Sequence, residues 1–148
     1  MSPRHIWKRN LKDMTSASSG NEFVSDTMAL VKRIEGRSLG PAAATAFDET
    51  EAGRATILVP AMVFAEILYL SERGRIKVSL ADVSDYLRRY PNCKELPMSL
   101  ALVESAGPIN DIPDLHDRLI AGSARNLNRP LISSDGAIQA SAWVSTIW

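Results

Sequence analysis

The distribution of apolar and polar positions predicts an alternation of short strands and amphipathic helices. Glu22–Ser25 (EFVS) reads as a short strand that ends at Asp26. Thr27–Glu35 has helical composition and stops before Gly36, and the Ala-rich Pro41–Ala52 is helical and closed by Gly53. Thr56–Val59 (TILV) is β-branched and apolar, the mark of a buried strand. Ala61–Arg73 is predicted helical, with Pro60 near its first turn and Gly74 at its end. Ser79–Tyr90 forms an amphipathic helix closed by Pro91, Lys94–Leu96 a short strand, and Ser99–Ala106 a helix. Asp114–Asn128 is a strong helix, Pro130–Ser133 (PLIS) a strand, and Val144–Trp148 (VSTIW) a final strand. Strands separated by helices predict an α/β fold with a mostly parallel sheet covered on both faces. Ligands in such folds bind at the carboxyl ends of strands, near the point where strand order reverses. A polar residue just after a buried strand is therefore a candidate site residue.

Composition narrows the picture. A chain of 148 residues with 45% hydrophobic content has room for one domain with a real core. Residues 1–20 differ from the rest: Arg4, Lys8, Arg9 and Lys12 precede a polar TSASSG run with little apolar periodicity. They read as a flexible basic and polar extension, with the folded domain covering 21–148. Cys93 is the only cysteine, which excludes an intramolecular disulfide or a cysteine-based zinc site and suits a reducing cytoplasm. The N-terminus lacks the apolar region of a signal peptide, and the run from Ile57 to Leu70 is too short to span a bilayer and contains Pro60 and Glu66. The expectation is a soluble cytoplasmic protein without membrane contact. Lys plus Arg and Asp plus Glu both number 17, so the net charge is zero. A nucleic-acid binder of this composition needs a local basic patch, or a metal ion between its acids and the phosphates.

Four acidic residues then carry the candidate chemistry. Asp26 directly follows EFVS and Asp135 follows PLIS by two residues, so both sit at carboxyl ends of predicted strands. Each also suits a helix N-cap, and Gly136 beside Asp135 suits a turn. Glu66 is the sole charge in AMVFAEILYL, with Met62, Val63, Tyr69 and Leu70 as its helical neighbours. Burying an unpaired carboxylate costs several kcal/mol or raises its pKa until it is neutral, unless a cation waits there. A solvent-edge position, or pairing with Arg73, is the competing explanation. Asp117 shares a helical face with Ile120, Ala121 and Ala124, predicted to point inward, although an acid in the first turn after an Asp114 cap also satisfies the helix dipole. Asp111 reads as a loop charge. Arg118, Arg125 and Arg129 fall together on another face of that helix, available for phosphate contacts or simply solvated. His116, one of two histidines, fits an exposed helix start better than proton transfer. Four convergent acids suit Mg²⁺ or Mn²⁺, which prefer hard oxygen ligands and retain several waters. Such ions promote phosphodiester hydrolysis.

The segments FVSDTMAL, VPAMVFAEILYL, IPDLHDRLIAGSA, PLISSDGAI and VSTIW resemble, in that order and over roughly residues 22–148, the PIN-domain family and within it the VapC-type toxins. DLHDRLIA followed by a strand and S-x-D is the most specific part. The resemblance implies a three-layer α/β/α fold with a central parallel sheet. It implies metal-dependent endoribonuclease activity, a homodimer, and neutralisation by a cognate VapB-type antitoxin. By matched position it puts the family's acids on Asp26, Glu66, Asp117 and Asp135, and its small hydroxyl residue on Ser133, where Thr is more usual. MALVKRI after the first acid replaces the bulkier aromatic stretch often found there, which bears on substrate preference. Two rival classes remain at this point. One is a catalytically silent PIN-like domain that receives a basic segment of a partner in its acidic pocket. The other is a phospho-acceptor or phosphatase-like α/β domain, which the sequence supports poorly because no second Asp adjoins Asp26 and no catalytic Lys follows a later strand.

Overall fold

The computed structural model describes residues 21–148, so the extension expected over residues 1–20 lies outside the described residues. Five strands form one sheet in the order β3-β2-β1-β4-β5. They are β1 (Glu22–Ser25), β2 (Thr56–Pro60), β3 (Cys93–Leu96), β4 (Leu131–Ile132) and β5 (Thr146–Ile147). Every ladder is parallel. The helices are α1 (Thr27–Ile34), α2 (Pro41–Glu51), α3 (Ala61–Glu72), α4 (Leu80–Arg89), α5 (Leu100–Ala106), α6 (Leu115–Leu127) and α7 (Gly136–Gln139). The result is the expected three-layer α/β/α arrangement.

Burial explains why these segments pair as they do. Val24, Ile57, Val59, Leu131 and Ile132 are fully buried in the strands, and Leu30, Phe47, Ile67 and Ile120 reach the same core from the helices. A parallel sheet with both faces covered needs such β-branched and apolar runs. The edge strand β3 buries Cys93 but exposes Lys94 and Glu95, charges that discourage edge-to-edge pairing. Among the described residues no helix is long and apolar enough to cross a membrane.

The chain winds outward from β1 to β2 and β3, then returns to place β4 on the other side of β1. Strand order therefore reverses between β1 and β4, and the crevice at their carboxyl ends is the expected site. Register aligns the two strands closely: Ser25 pairs with Ile132, and the Asp26 amide donates to the Ile132 carbonyl at 3.1 Å. The first residues beyond the two strands, Asp26 and Ser133, are brought together by backbone pairing.

Several elements differ in extent from the sequence reading. The last two strands shrink from Pro130–Ser133 and Val144–Trp148 to two residues each. β4 pairs with β1 on one side and β5 on the other over only Leu131 and Ile132, and β5 pairs with β4 alone over Thr146 and Ile147, so both strands stay as short as those ladders. Helix α7 was not predicted, because Gly136 reads as a turn; Asp135 caps a single helical turn there.

Helices α5 and α6 pack at close range through Gly122. A Cβ at that position would lie 2.8 Å from Ala106 Cβ and 2.9 Å from Ala106 N. Backbone on the opposing helix cannot yield as a flexible side chain would. Gly122→Ala should therefore destabilise the protein by about 1–3 kcal/mol of overpacking, outweighing the better helix propensity of alanine. A melting curve tests this, and an equal or higher Tm would show that the two helices separate freely.

Candidate metal and nuclease site

Asp26, Glu66, Asp117 and Asp135 line one cleft of about 340 Å³, together with Thr27, Met28, Lys32, Arg37, Leu70 and Ser134. The four acids arrive from four separate segments. Asp26 closes β1 and caps α1, its Oδ1 accepting the Ala29 amide at 2.8 Å. Asp135 follows β4 and caps α7, its Oδ1 accepting the Ile138 amide at 3.0 Å. Capping and site membership were competing readings of both residues, and they prove compatible. A cap occupies one carboxylate oxygen with helix N–H groups, and the other edge of the carboxylate can still face the cleft.

Glu66 lies in α3, half-buried, and its Oε1 accepts the Thr27 hydroxyl at 3.0 Å. Neither solvent-edge freedom nor an Arg73 partner describes it, since Arg73 instead stacks 3.8 Å over the Tyr69 ring. Asp117 stands in the first turn of α6, where Asp114 is the N-cap and accepts the Asp117 amide at 3.0 Å. The helical-wheel reading holds: Ile120, Ala121 and Ala124 are buried and Asp117 is partly buried beside the cleft.

The electrostatics show that these acids sense one another. Burial pushes the Asp26 carboxyl up to about 6, assisted by the nearby charges of Asp135 and Glu66 and opposed by hydrogen bonds from Ser133 and the Ala29 amide. Asp117 is also raised to about 6, first by burial and then by repulsion from Asp114, Asp135, Glu66 and Asp26. Burial raises Glu66 as well, with the Thr27 hydroxyl and the His116 side chain working against it. Clustered carboxylates with raised affinities for protons are a site short of positive charge.

A hard divalent cation fits that donor set. All the candidate ligands are carboxylate oxygens, the preference of Mg²⁺ and Mn²⁺. Among the described residues no group of three or more acidic, histidine or cysteine side chains stands close enough together to hold a metal ion. An ion of the Mg²⁺ type needs only one or two carboxylates and keeps water in its remaining positions.

Ser133 is fully buried, so it does not line the cleft, whereas its neighbour Ser134 does. Its hydroxyl bonds the Asp26 carboxylate and also accepts the Asp135 amide at 3.1 Å. Ser133 thus ties the two switch-point acids together and acts as a positioning residue. Ser133→Ala should leave the fold intact and lower nuclease turnover by roughly tenfold, in the range of outer-shell metal-site partners. Ser133→Thr should restore it, and equal turnover for all three proteins would remove the role.

The basic residues are arranged differently from the sequence reading. Arg118 donates to the Ala106 and Gly107 carbonyls, and Arg125 to the Ser105 carbonyl while lying over Trp143. Arg129 lies 3.3 Å from Glu22. Arg118 and Arg125 hold α6 to the α5 region, Arg129 ties the segment after α6 to β1, and none of the three lines the acidic cleft. Lys32 and Arg37 do, and the sequence reading missed them. The available signal was periodicity: Met28 and Lys32 share a face of α1 by their i, i+4 spacing and both reach the cleft. His116 is exposed, as expected.

Among solved structures, the chain resembles a chain of the Rickettsia felis VapBC2 complex bound to a promoter DNA fragment. The match has a TM-score of 0.66 and 17% identity over 86% of this chain and 98% of the other. It also resembles a chain of DNA-bound VapBC from Salmonella typhimurium, at a TM-score of 0.60 and 12% identity over 86% and 97% of the two chains. A chain of FitAcB from Neisseria gonorrhoeae matches at a TM-score of 0.59 and 13% identity, over 85% and 96%. At these identities the likeness is one of fold. No curated protein matches by sequence. The PIN domain model matches residues 23–143, well over half of the chain, which therefore belongs to the PIN-domain family, a family generally of nucleases that use a divalent metal ion.

Proposed function

We propose that this chain is a Mg²⁺- or Mn²⁺-dependent endoribonuclease and the toxin of a VapBC-type toxin–antitoxin pair. The observation that carries this reading is the meeting of Asp26, Glu66, Asp117 and Asp135 in one cleft at the switch point of the sheet. These four are the proposed metal-holding and catalytic residues. A bound divalent ion supplies charge neutralisation at the phosphate and a lower pKa for an attacking water. The protein supplies the rest. Asp26 and Asp135 are fixed by their helix caps and by Ser133, Glu66 by Thr27, and Asp117 by the rigid first turn of α6. Lys32 and Arg37 at the rim would attract the polyanion that the acids repel.

The partner assignment draws on the structural neighbours, which include VapBC complexes and a toxin–antitoxin complex from Klebsiella pneumoniae. A VapB-type antitoxin is the proposed neutralising partner, with a homodimer as the assembly and the cytoplasm as the location. The competing reading is a silent PIN-like domain whose acidic cleft only receives a basic segment of a partner.

One gel separates the two. Total bacterial RNA is incubated with purified protein in Mg²⁺, in Mn²⁺ and in EDTA. Discrete fragments that appear with metal and vanish with EDTA are expected. RNA left intact in all lanes, with a cognate antitoxin still bound tightly, would overturn the nuclease assignment in favour of the binding domain.

A further inference from the structure

A chain of zero net charge that handles RNA can use a local basic surface beside a bridging metal ion, and the arginines of α6 and Arg129 just beyond it are occupied with carbonyls and Glu22. The structure offers another surface. Arg37 lines the acidic cleft on one side and an adjoining hollow of about 370 Å³ on the other. Arg75 and Lys77 line that hollow, both exposed, on the loop that follows α3. Among the described residues neither has an acidic partner. Lys32 continues the row inside the cleft.

The loop is held where it is by Glu35, just past the end of α1. Its Oε2 accepts the Lys77 amide at 2.7 Å and the Val78 amide at 3.1 Å, while its Oε1 accepts from Arg37 at 3.2 Å. Glu35 also lines this hollow, but its side chain is only 9% exposed and its carboxylate is engaged by these three donors. Gly74, with φ of +67°, provides the left-handed turn that starts the loop. One carboxylate thus joins two distant segments and aligns Arg37, Arg75 and Lys77 beside the cleft without needing the side chains of the latter two.

We propose that Lys32, Arg37, Arg75 and Lys77 form a ledge that carries the phosphodiester backbone of single-stranded RNA away from the carboxylate cleft. This inference rests on the nuclease reading above and identifies how that site retains a long substrate. Phosphates next to the cleaved one would otherwise meet only acids. The ledge binds backbone charge, so it contributes affinity without reading bases.

The test measures binding of fluorescein-labelled oligouridylate, one oligomer long enough to leave the cleft and one tetranucleotide, to the full chain in the Asp117→Asn background. Salt is varied with Mg²⁺ held constant. Two lost phosphate contacts at about 0.7 each should lower the slope of log K against log salt by about 1.4. Arg75→Ala/Lys77→Ala should therefore weaken the long oligomer by roughly tenfold at moderate salt, with the tetranucleotide little affected. Arg75→Lys/Lys77→Arg preserves both charges and should restore the slope. Arg88→Ala, a charge paired with Asp85 and outside both hollows, should leave it unchanged. An unaltered slope in the double alanine variant overturns the ledge, as does equal weakening of both oligomers. So does unchanged RNA binding combined with lost binding of polyglutamate, which would assign the surface to an acidic protein partner. If the protein without Asp117→Asn neither cleaves nor binds RNA, the nuclease reading itself fails. If it does both and the double variant matches its parent in binding, only the ledge fails.

Discussion

Asp117→Asn is expected to slow RNA cleavage by at least about a hundredfold, with the fold and the melting temperature preserved or improved. The lower bound is the upper end of what outer-shell partners of metal sites contribute, and a direct ligand should exceed it. Asparagine is nearly isosteric and keeps an acceptor oxygen, so packing beside Ile120 and Ala121 should not change. The α6 cap is made by Asp114, not Asp117, and survives the substitution. What disappears is one negative charge among four that already repel one another. That loss weakens the attraction for a divalent ion and relieves the repulsion among the remaining acids. Single-turnover cleavage at saturating Mn²⁺ and at low Mn²⁺ separates the effects. A defect that shrinks as metal rises marks Asp117 as a metal-holding group, and one that persists at saturation marks a role in the reaction itself. Cleavage at the unmodified rate under both conditions would exclude Asp117 from the site.

How far the site could be read from sequence depended on whether the governing interaction was local. Asp26 and Asp135 stood out because a strand end is a local pattern, and the parallel topology then brings those ends together. Glu66 was legible as a lone charge on an apolar helix. The residue that fixes it was not, because Thr27 is distant in sequence and no periodicity links the two. The same limit explains the arginines. A helical wheel groups Arg118, Arg125 and Arg129, but their partners are carbonyls of the preceding α5 region and Glu22, which no pattern along α6 reveals. Arg37, Arg75 and Lys77 were passed over for the opposite reason: isolated basic residues in loops look solvated until Glu35 is seen to accept from the Lys77 and Val78 amides and from the Arg37 side chain, which joins the two segments. The lengths of β4 and β5 failed similarly, since β4 extends only over the two residues that its ladders with β1 and β5 span, and β5 only as far as β4 pairs with it. The helices survived best, because caps such as Asp26, Ser79, Ser99 and Asp114 act within three residues of themselves.

The acids should also make the protein less stable as pH rises, until metal is added. Asp26 is 7% exposed and its carboxyl is raised from 3.8 to about 6, mainly by burial. A carboxyl that binds its proton more tightly when folded stabilises the fold fully below its unfolded value. That contribution is lost as pH rises through the folded value. The window is therefore from about 4 to just above 6, and two pKa units correspond to roughly 3 kcal/mol for Asp26. Asp117 adds to the trend in the same direction. Glu35, Glu51 and Asp111 are shifted down, so their contributions are lost only in more acidic solution and do not mask the window. Metal binding competes with these protons and strengthens as they leave. Melting curves in EDTA should thus fall between about pH 4.5 and 7, while curves in Mg²⁺ or Mn²⁺ should part from them above about pH 6 and remain higher. Asp26→Asn sharpens the test, since asparagine is as good an N-cap and carries no charge. It should abolish metal-dependent cleavage yet raise stability in EDTA near neutral pH by up to about 3 kcal/mol, and flatten the pH dependence. The cost of gathering carboxylates would then be visible as a stabilising, inactivating substitution. An EDTA curve that rises through this window, or an Asp26→Asn protein less stable than its parent at neutral pH, would mean that the buried carboxylate already has its counter-charge within the fold and does not await a metal.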